Sequence, residues 1–129
     1  MEGLSEFEIA VLDKLLEGDD SILADLRLQA ARSRLASRTY TDVGFYCDLQ
    51  VPEEVPRVSP ANFTVDDVHA EVAGLTAGAM FVLFIRNGYI TSSEGISVLD
   101  EGWPEFIKEF KLHYNGGATR TGRWIAKIQ

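Results

Sequence analysis

The residues best suited to proton transfer or metal binding lie on two segments in which polar and apolar residues alternate. His69 and Glu71 alternate with apolar residues in 65–73, and Tyr46 and Asp48 do so in 43–51. This period of two predicts strands, each with one polar face. If the two strands pair, all four side chains share a face and form a candidate site for proton transfer or metal binding. The alternative is the solvated face of an antiparallel sheet, since the spacing fixes no metal geometry.

Established reaction motifs are absent from the sequence. There is no GxGxxG, GxxxxGK[ST], HExxH or GxSxG pattern. The single cysteine, Cys47, excludes an internal disulfide and a zinc cage built from cysteines, and it falls on the apolar side of its strand. We therefore predict no metal, no cofactor and a non-enzymatic protein. The alternative is a small enzyme or ligand-binding protein that uses His69 and Glu71, with Tyr46, Asp48 or His113 as further groups.

A hairpin near the middle of the chain organises the predicted fold. Met80–Ile85 is an apolar run rich in β-branched and aromatic residues, Asn87-Gly88 is typical of a type I′ turn, and Tyr89–Thr91 is the returning strand. The continuous apolar run predicts a strand that is covered on both faces or meets another subunit. A homodimer, and hence a structural role in an oligomer, is therefore an alternative function.

Two helices are predicted at the amino terminus. Apolar residues recur at helical spacing after a capping box formed by Ser5 and Glu8, which predicts a helix over about 6–17. After a stop at Gly18, Asp19, Asp20 and Ser21 are candidate N-caps, so a second helix should begin within a few residues and run to position 36 or 37. On it, Arg27, Arg34 and Arg38 would form a basic stripe. This stripe is either a solvated face that pairs with acids of the first helix or an anion site.

The rest of the chain predicts a sheet. Besides the strands above, 105–114 and 122–128 are predicted strands, whereas 92–95 is expected to break the pattern and 52–60, with three prolines, to form a loop. The fold class is α+β, with a pair of helices packed on one face of a mostly antiparallel sheet of about five to six strands. We expect one domain over 1–129, with helices in about 5–37 and the sheet in about 40–129.

Charge and hydropathy narrow the classes of partner. The net charge is −8, which argues against nucleic acid because such binding needs many Lys and Arg on phosphates. No apolar run is long enough to span a membrane, and the acidic amino terminus is unlike a secretory signal. We expect a cytoplasmic protein whose acidic surface, densest in the first twenty residues, attracts a basic protein partner.

One pattern in the second half resembles that of small uncharacterised bacterial proteins. Phe84–Ile90 is followed by Ser93-Glu94-Gly95 and Trp103-Pro104, while Leu26–Gln29 and Gly44–Tyr46 resemble the first half of these proteins. In them a buried strand, an Asp/Asn-Gly turn, a Leu-Glu-Gly segment and a Trp-Pro pair occur in this order; here Ser93 replaces the Leu.

The resemblance implies an α+β fold without an established activity, and some proteins of this kind look like immunity proteins. It favours a non-enzymatic protein-binding module of the immunity or inhibitor kind. The same pattern singles out Glu94 and Trp103 as candidate binding residues, although Trp103 is also expected to anchor its loop to the core.

Overall fold

The structure is a computed structural model that describes residues 1–115, 120 and 125–128. It is an α+β fold in which two helices precede an antiparallel sheet that has eight strands within the described residues. The helices are α1 (Glu6–Leu15) and α2 (Ser21–Arg32). The strands are β1 (Arg34–Tyr40), β2 (Gly44–Gln50), β3 (Phe63–Val65), β4 (Val68–Val72), β5 (Ala79–Arg86), β6 (Tyr89–Ser97), β7 (Phe110–Tyr114) and β8 (Ile125–Ile128).

Both helices begin where the sequence predicts. The Glu8 backbone N–H donates to the Ser5 hydroxyl oxygen, and the Ser5 N–H donates to the Glu8 carboxylate, which completes the capping box of α1. The Asp20 carboxylate accepts from the Ile22 N–H at the start of α2. The carboxyl end of α1 is closed by Arg27, whose guanidinium donates to the carbonyl of Leu16.

The second helix is shorter than predicted, and strand β1 follows it directly. Ser33 has extended backbone angles, and its hydroxyl donates to the Ala30 carbonyl, so it closes the helix. The next residues pair with β2 from Arg34 opposite Gln50 onwards. The predicted helix over 33–37 and the basic stripe on it were therefore wrong, because Arg34 and Arg38 belong to a strand.

The sheet is built around the predicted hairpin. Asn87 and Gly88 both have positive φ, 54° and 81°, as a type I′ turn requires, and they join β5 to β6. The strand order is β1-β2-β6-β5-β3-β8, with β4 pairing with both β5 and β7. The predicted antiparallel sheet is confirmed, and β4, β5 and β6 follow one another in it as antiparallel neighbours.

Three strand boundaries differ from the prediction. The segment 65–73 is divided into β3, which pairs with the end of β5, and β4, which pairs with its beginning. Residues 92–95 remain in β6 because β2 and β5 flank them on both sides. Within the predicted strand 105–114 only Phe110–Tyr114 forms a strand. Of the predicted terminal strand 122–128, residues 122–124 lie outside the described residues.

The core lies between the helices and the sheet. Helix α1 contacts β4, β5 and β7, and helix α2 contacts β6. The ring of Phe7 meets that of Phe81 edge to face at 5.7 Å, and both rings are buried. No helix in the described part of the chain is both long and apolar enough to cross a membrane.

Candidate functional site

One face of the sheet is more exposed than the other along the central strands. In β5, Phe81 and Leu83 are buried, whereas the alternate side chains of Val82 and Phe84 are half-buried and Met80 is 41% exposed. The strand predicted to be apolar on both sides therefore buries one side completely and leaves the other partly open to solvent. We call this second side the open face.

Apolar and acidic side chains alternate across the middle of the open face. Tyr46 of β2 is directly opposite Glu94 of β6, which in turn is opposite Val82 of β5. Tyr46 is 37% exposed, and Glu94 is exposed. In the next row, Asp48 is opposite Ser92 and accepts a hydrogen bond of 2.9 Å from the Ser37 hydroxyl. The centre of the face is thus a mixed aromatic and acidic patch.

The four residues predicted to form one cluster are separated. Tyr46 and Asp48 lie on β2, whereas His69 and Glu71 lie on β4, with β6 and β5 between them. Three steps between strands correspond to about 14 Å, which is beyond the reach of a shared proton or metal. The alternation correctly predicted that each side chain points away from the core. The predicted pairing of the two strands was wrong.

His69 instead meets His113, which lies directly opposite it on β7. His69 Nδ1 is 3.1 Å from His113 Nε2, and His69 Nε2 is 2.9 Å from the Ala77 carbonyl oxygen. A carbonyl only accepts, so His69 Nε2 carries a proton, and in the neutral ring Nδ1 must then accept from His113 Nε2–H. The Ala77 carbonyl thereby favours the Nε2–H tautomer of His69, whereas His113 has a second carbonyl, that of Tyr114, 3.4 Å from its Nδ1.

The histidine pair borders a cleft of about 790 Å³ at the β4–β7 end of the sheet. Glu71 also borders it, and its carboxylate lies 4.0 Å from His113 Nε2, but its side chain is two-thirds exposed. Gly78 closes the cleft beside His69: its φ is +74°, and a Cβ there would lie 2.8 Å from His69 Cε1. Among the described residues no group of three or more His, Cys, Asp or Glu could hold a metal.

Glu94 and Trp103 do not form one binding site. Glu94 is on the open face, whereas Trp103 packs into the helix side of the sheet, with its ring 5.3 Å from Phe45 and 6.4 Å from Phe7. The Trp103 backbone N–H also donates to the Asp42 carbonyl at 2.9 Å. These contacts confirm that Trp103 anchors its loop to the core.

The one cysteine belongs to a buried polar cluster rather than to a reaction centre. Its thiol donates to Glu8 Oε2 at 3.4 Å, and burial together with the nearby Glu8 charge raises the pKa of Cys47 to about 12. Arg38 also binds Glu8, with its Nε 2.8 Å from Oε2. Burial acts to raise the pKa of Glu8, but the hydrogen bonds from Arg38 and the Ser5 N–H outweigh it and hold that pKa below the usual range.

Sequence reasoning missed most of a group of arginines and a glutamine at the hairpin end of the sheet; of these residues, only Arg34 belonged to the predicted anion stripe. Arg32 and Arg34 are two residues apart, but Arg57 and Arg86 lie far from them in the chain, so only the fold brings the four to one groove. Gln29 is completely buried below that groove and has the spacing of an ordinary helical core position. No local signal could have found this arrangement.

No family model, no curated protein and no solved structure matches this chain. The resemblance to small bacterial proteins, some of them immunity-like, therefore stays a prediction.

Proposed function

We propose that the protein is a non-enzymatic binding module whose open face docks a basic protein, in the manner of an immunity or inhibitor protein. The observation that carries the proposal is the partly exposed patch around Tyr46, Val82 and Glu94. It joins an aromatic ring, aliphatic surface and carboxylates on one rigid sheet. Interface centres are typically enriched in Tyr and other aromatic residues and in Met, with polar groups at the rim.

The apolar part of the patch extends toward the histidine pair. Met80 lies opposite both Ile96 and His69, and Met80 and Ile96 are 41% and 45% exposed. An adaptable Met beside a rigid Tyr suits contact with another protein surface better than solvent.

Charge complementarity supports a basic partner. Asp48 and Glu94 are exposed within the patch, and the whole chain carries a net charge of −8. Such a field steers a cationic surface to the face and slows the approach of acidic ones. A cytoplasmic setting, as predicted from the sequence, suits a protein that neutralises a basic toxin or enzyme inside its own cell.

The test is an affinity capture from lysate of the organism that encodes the chain, followed by a binding titration with the purified partner. We expect one stoichiometric basic protein that is lost as salt rises, because salt screens surface charges. Reversing both acids, as Asp48→Arg with Glu94→Arg, should weaken its binding by at least about tenfold, or ~1.4 kcal/mol.

The matched control reverses two exposed acids at the helix side, Asp13→Arg with Asp19→Arg. It changes the net charge equally but leaves the open face intact. The proposal is wrong if both double variants lose the partner to the same extent, or if the open-face variant keeps wild-type affinity.

A ligand site at the histidine pair is the second candidate, favoured by the 3.1 Å contact of His69 and His113 at the border of a cleft. A small molecule that hydrogen-bonds His113 should raise the thermal midpoint of the wild type but not that of His113→Ala. Lys111→Ala, at the same cleft, is the control. A screen in which no compound distinguishes the wild type from His113→Ala would remove this candidate.

A further inference from the structure

Half of the chain's eight arginines line one groove in an otherwise acidic protein. The groove has a volume of about 640 Å³, which is within the range of small-molecule sites. It lies where the β5–β6 hairpin meets the end of β2 and the start of β1. Its charged lining consists of four arginines, Arg32, Arg34, Arg57 and Arg86, and one acid, Glu53, while its neutral lining includes Gln50, Asn87, Tyr89 and Thr91.

The buried amide of Gln29 holds together the elements that carry these arginines. Its Nε2 donates to the carbonyls of Pro56, at 3.1 Å, and Gly88, at 2.8 Å, while its Oε1 accepts from the Ile90 N–H at 2.9 Å. Helix α2, the proline loop and the hairpin are therefore fixed to one another by a single side chain. The groove is preorganised, which lowers the entropic cost of binding.

Most of the guanidinium groups in the groove are free of carboxylate partners. Arg32 pairs with Glu54 at 3.0 Å, but Arg34, Arg57 and Arg86 have no carboxylate within 4.0 Å in the part of the chain that the structure describes. Arg34 instead donates to the Gln50 side chain at 2.6 Å, and Arg86 donates to its neighbouring carbonyl.

Two of the groups are also held in place by aromatic rings. The guanidinium of Arg57 lies 5.2 Å from the centre of the Tyr89 ring, and that of Arg86 lies 5.4 Å from the centre of the Phe84 ring. Stacking orients a planar guanidinium while leaving its N–H groups able to bind an anion. The Tyr89 hydroxyl in turn donates to the Glu53 carbonyl at 3.0 Å, which fixes the ring.

We infer that this groove binds a small phosphorylated ligand, with Arg34, Arg57 and Arg86 as its phosphate-binding groups. Guanidinium groups bind phosphate oxygens through paired, charge-assisted hydrogen bonds, so three of them suit a ligand with two or more phosphate groups. The groove is therefore a local region of positive charge in a chain whose net charge is −8. The groove lies at the hairpin end of the open face, next to the patch around Tyr46, Val82 and Glu94, and the inference does not depend on the proposed protein partner.

The test is calorimetric titration of the full chain with pyrophosphate, ATP and adenosine at constant ionic strength. Pyrophosphate and ATP should bind saturably with one site, and adenosine should not. Tighter binding of ATP than of pyrophosphate would identify a nucleotide as the ligand, whereas equal binding would identify the phosphate groups alone. Either result supports the inference.

The decisive variant is Arg57→Gln with Arg86→Gln, which should weaken pyrophosphate binding by at least about tenfold. If the double variant fails to fold, Arg34→Gln is the alternative, because it changes an exposed residue at the start of an edge strand. It should weaken pyrophosphate binding by about fivefold or more. Lys108→Gln removes an exposed positive charge outside the groove lining and should leave binding unchanged.

The inference is overturned if neither pyrophosphate nor ATP binds saturably, or if Lys108→Gln weakens binding as much as Arg34→Gln does. It is also overturned if a duplex oligonucleotide displaces pyrophosphate and ATP with equal affinity per phosphate group, since that would indicate a general cationic surface. All these titrations use the purified wild-type chain and the groove variants without a protein partner, so their outcomes do not depend on whether the open face binds a basic protein.

Discussion

At the scale of single residues, the ion pair of the buried Glu8 with the half-buried Arg38 matters most for stability. Glu8 is only 7% exposed and accepts hydrogen bonds from Arg38, the Ser5 N–H and the Cys47 thiol. Replacing Glu8 with Gln leaves the Arg38 charge without its partner, and we expect the free energy of unfolding to fall by about 2–3 kcal/mol. Urea denaturation measures the loss, and Glu6→Gln, an exposed change in the same helical turn, should cost less than about 1 kcal/mol.

The same carboxylate makes stability depend on acid pH. The pKa of Glu8 is lower in the folded state than its ordinary value of 4.5, so its contribution to stability is complete above that value. The contribution is lost as the pH falls through the folded pKa. We therefore expect the difference between wild type and Glu8→Gln to shrink steadily below about pH 4.5, and a difference that stays constant down to pH 2 would contradict the ion pair.

The Cys47 thiol should be inert in the native protein. Its pKa is raised to about 12 by burial and by the neighbouring carboxylate, so almost no thiolate exists at neutral pH. We expect a thiol reagent to label the protein at pH 7 only after urea unfolds it. Rapid stoichiometric labelling of the native protein would show that the cysteine is accessible and reactive.

At the scale of elements, the sequence predicts what local chemistry determines. The capping box of α1, the Asn87-Gly88 turn and the alternating strand β2 are each encoded by adjacent residues, and all three are present. Strand β1 was missed because Arg34–Tyr40 lacks clear alternation and follows a helix without a Gly or Pro between them. Pairing with β2 decides the structure of this segment, and the most distant pair, Arg34 with Gln50, is sixteen residues apart in the chain.

In the candidate site too, local sequence predicts some features and long-range pairing decides the others. Alternation predicted that His69 and Glu71 face away from the core, but it could not predict that β4 pairs with β7 rather than β2. Strand order depends on contacts between residues far apart in the chain. The His69–His113 pair and the arginine groove can therefore be identified only in the folded structure.

Strand β6 continues without a break through 92–95 because Gly95, which has no side chain, leaves room for two aromatic rings. A Cβ at Gly95 would lie 2.5 Å from Phe45 Cε1 and 3.0 Å from Phe81 Cε1. We expect Gly95→Ala to lower the free energy of unfolding by about 1–3 kcal/mol, because the packed rings must move. Gly102→Ala is the matched control, since nothing lies within 4 Å of its Cβ position, and an equal loss there would refute the steric explanation.

At the scale of the whole molecule, the open face is better suited to a different protein than to a second copy. In a symmetric dimer the same patch meets itself, so the exposed Asp48 and Glu94 of each copy would approach those of the other. The net charge of −8 on each chain adds to this repulsion. A basic partner removes both penalties while using the same apolar contacts of Tyr46 and Met80.

We therefore expect light scattering at micromolar concentration and low ionic strength to give a mass of 14.3 kDa, that of one chain. High salt, which shortens the screening length to about 3 Å at 1 M, should promote whatever weak self-association the apolar patch allows. Asp48→Asn with Glu94→Gln should show that association at lower salt than the wild type does. A wild-type dimer at low salt would instead mean that apolar contact outweighs the repulsion, and it would favour the homo-oligomeric structural role over the binding module.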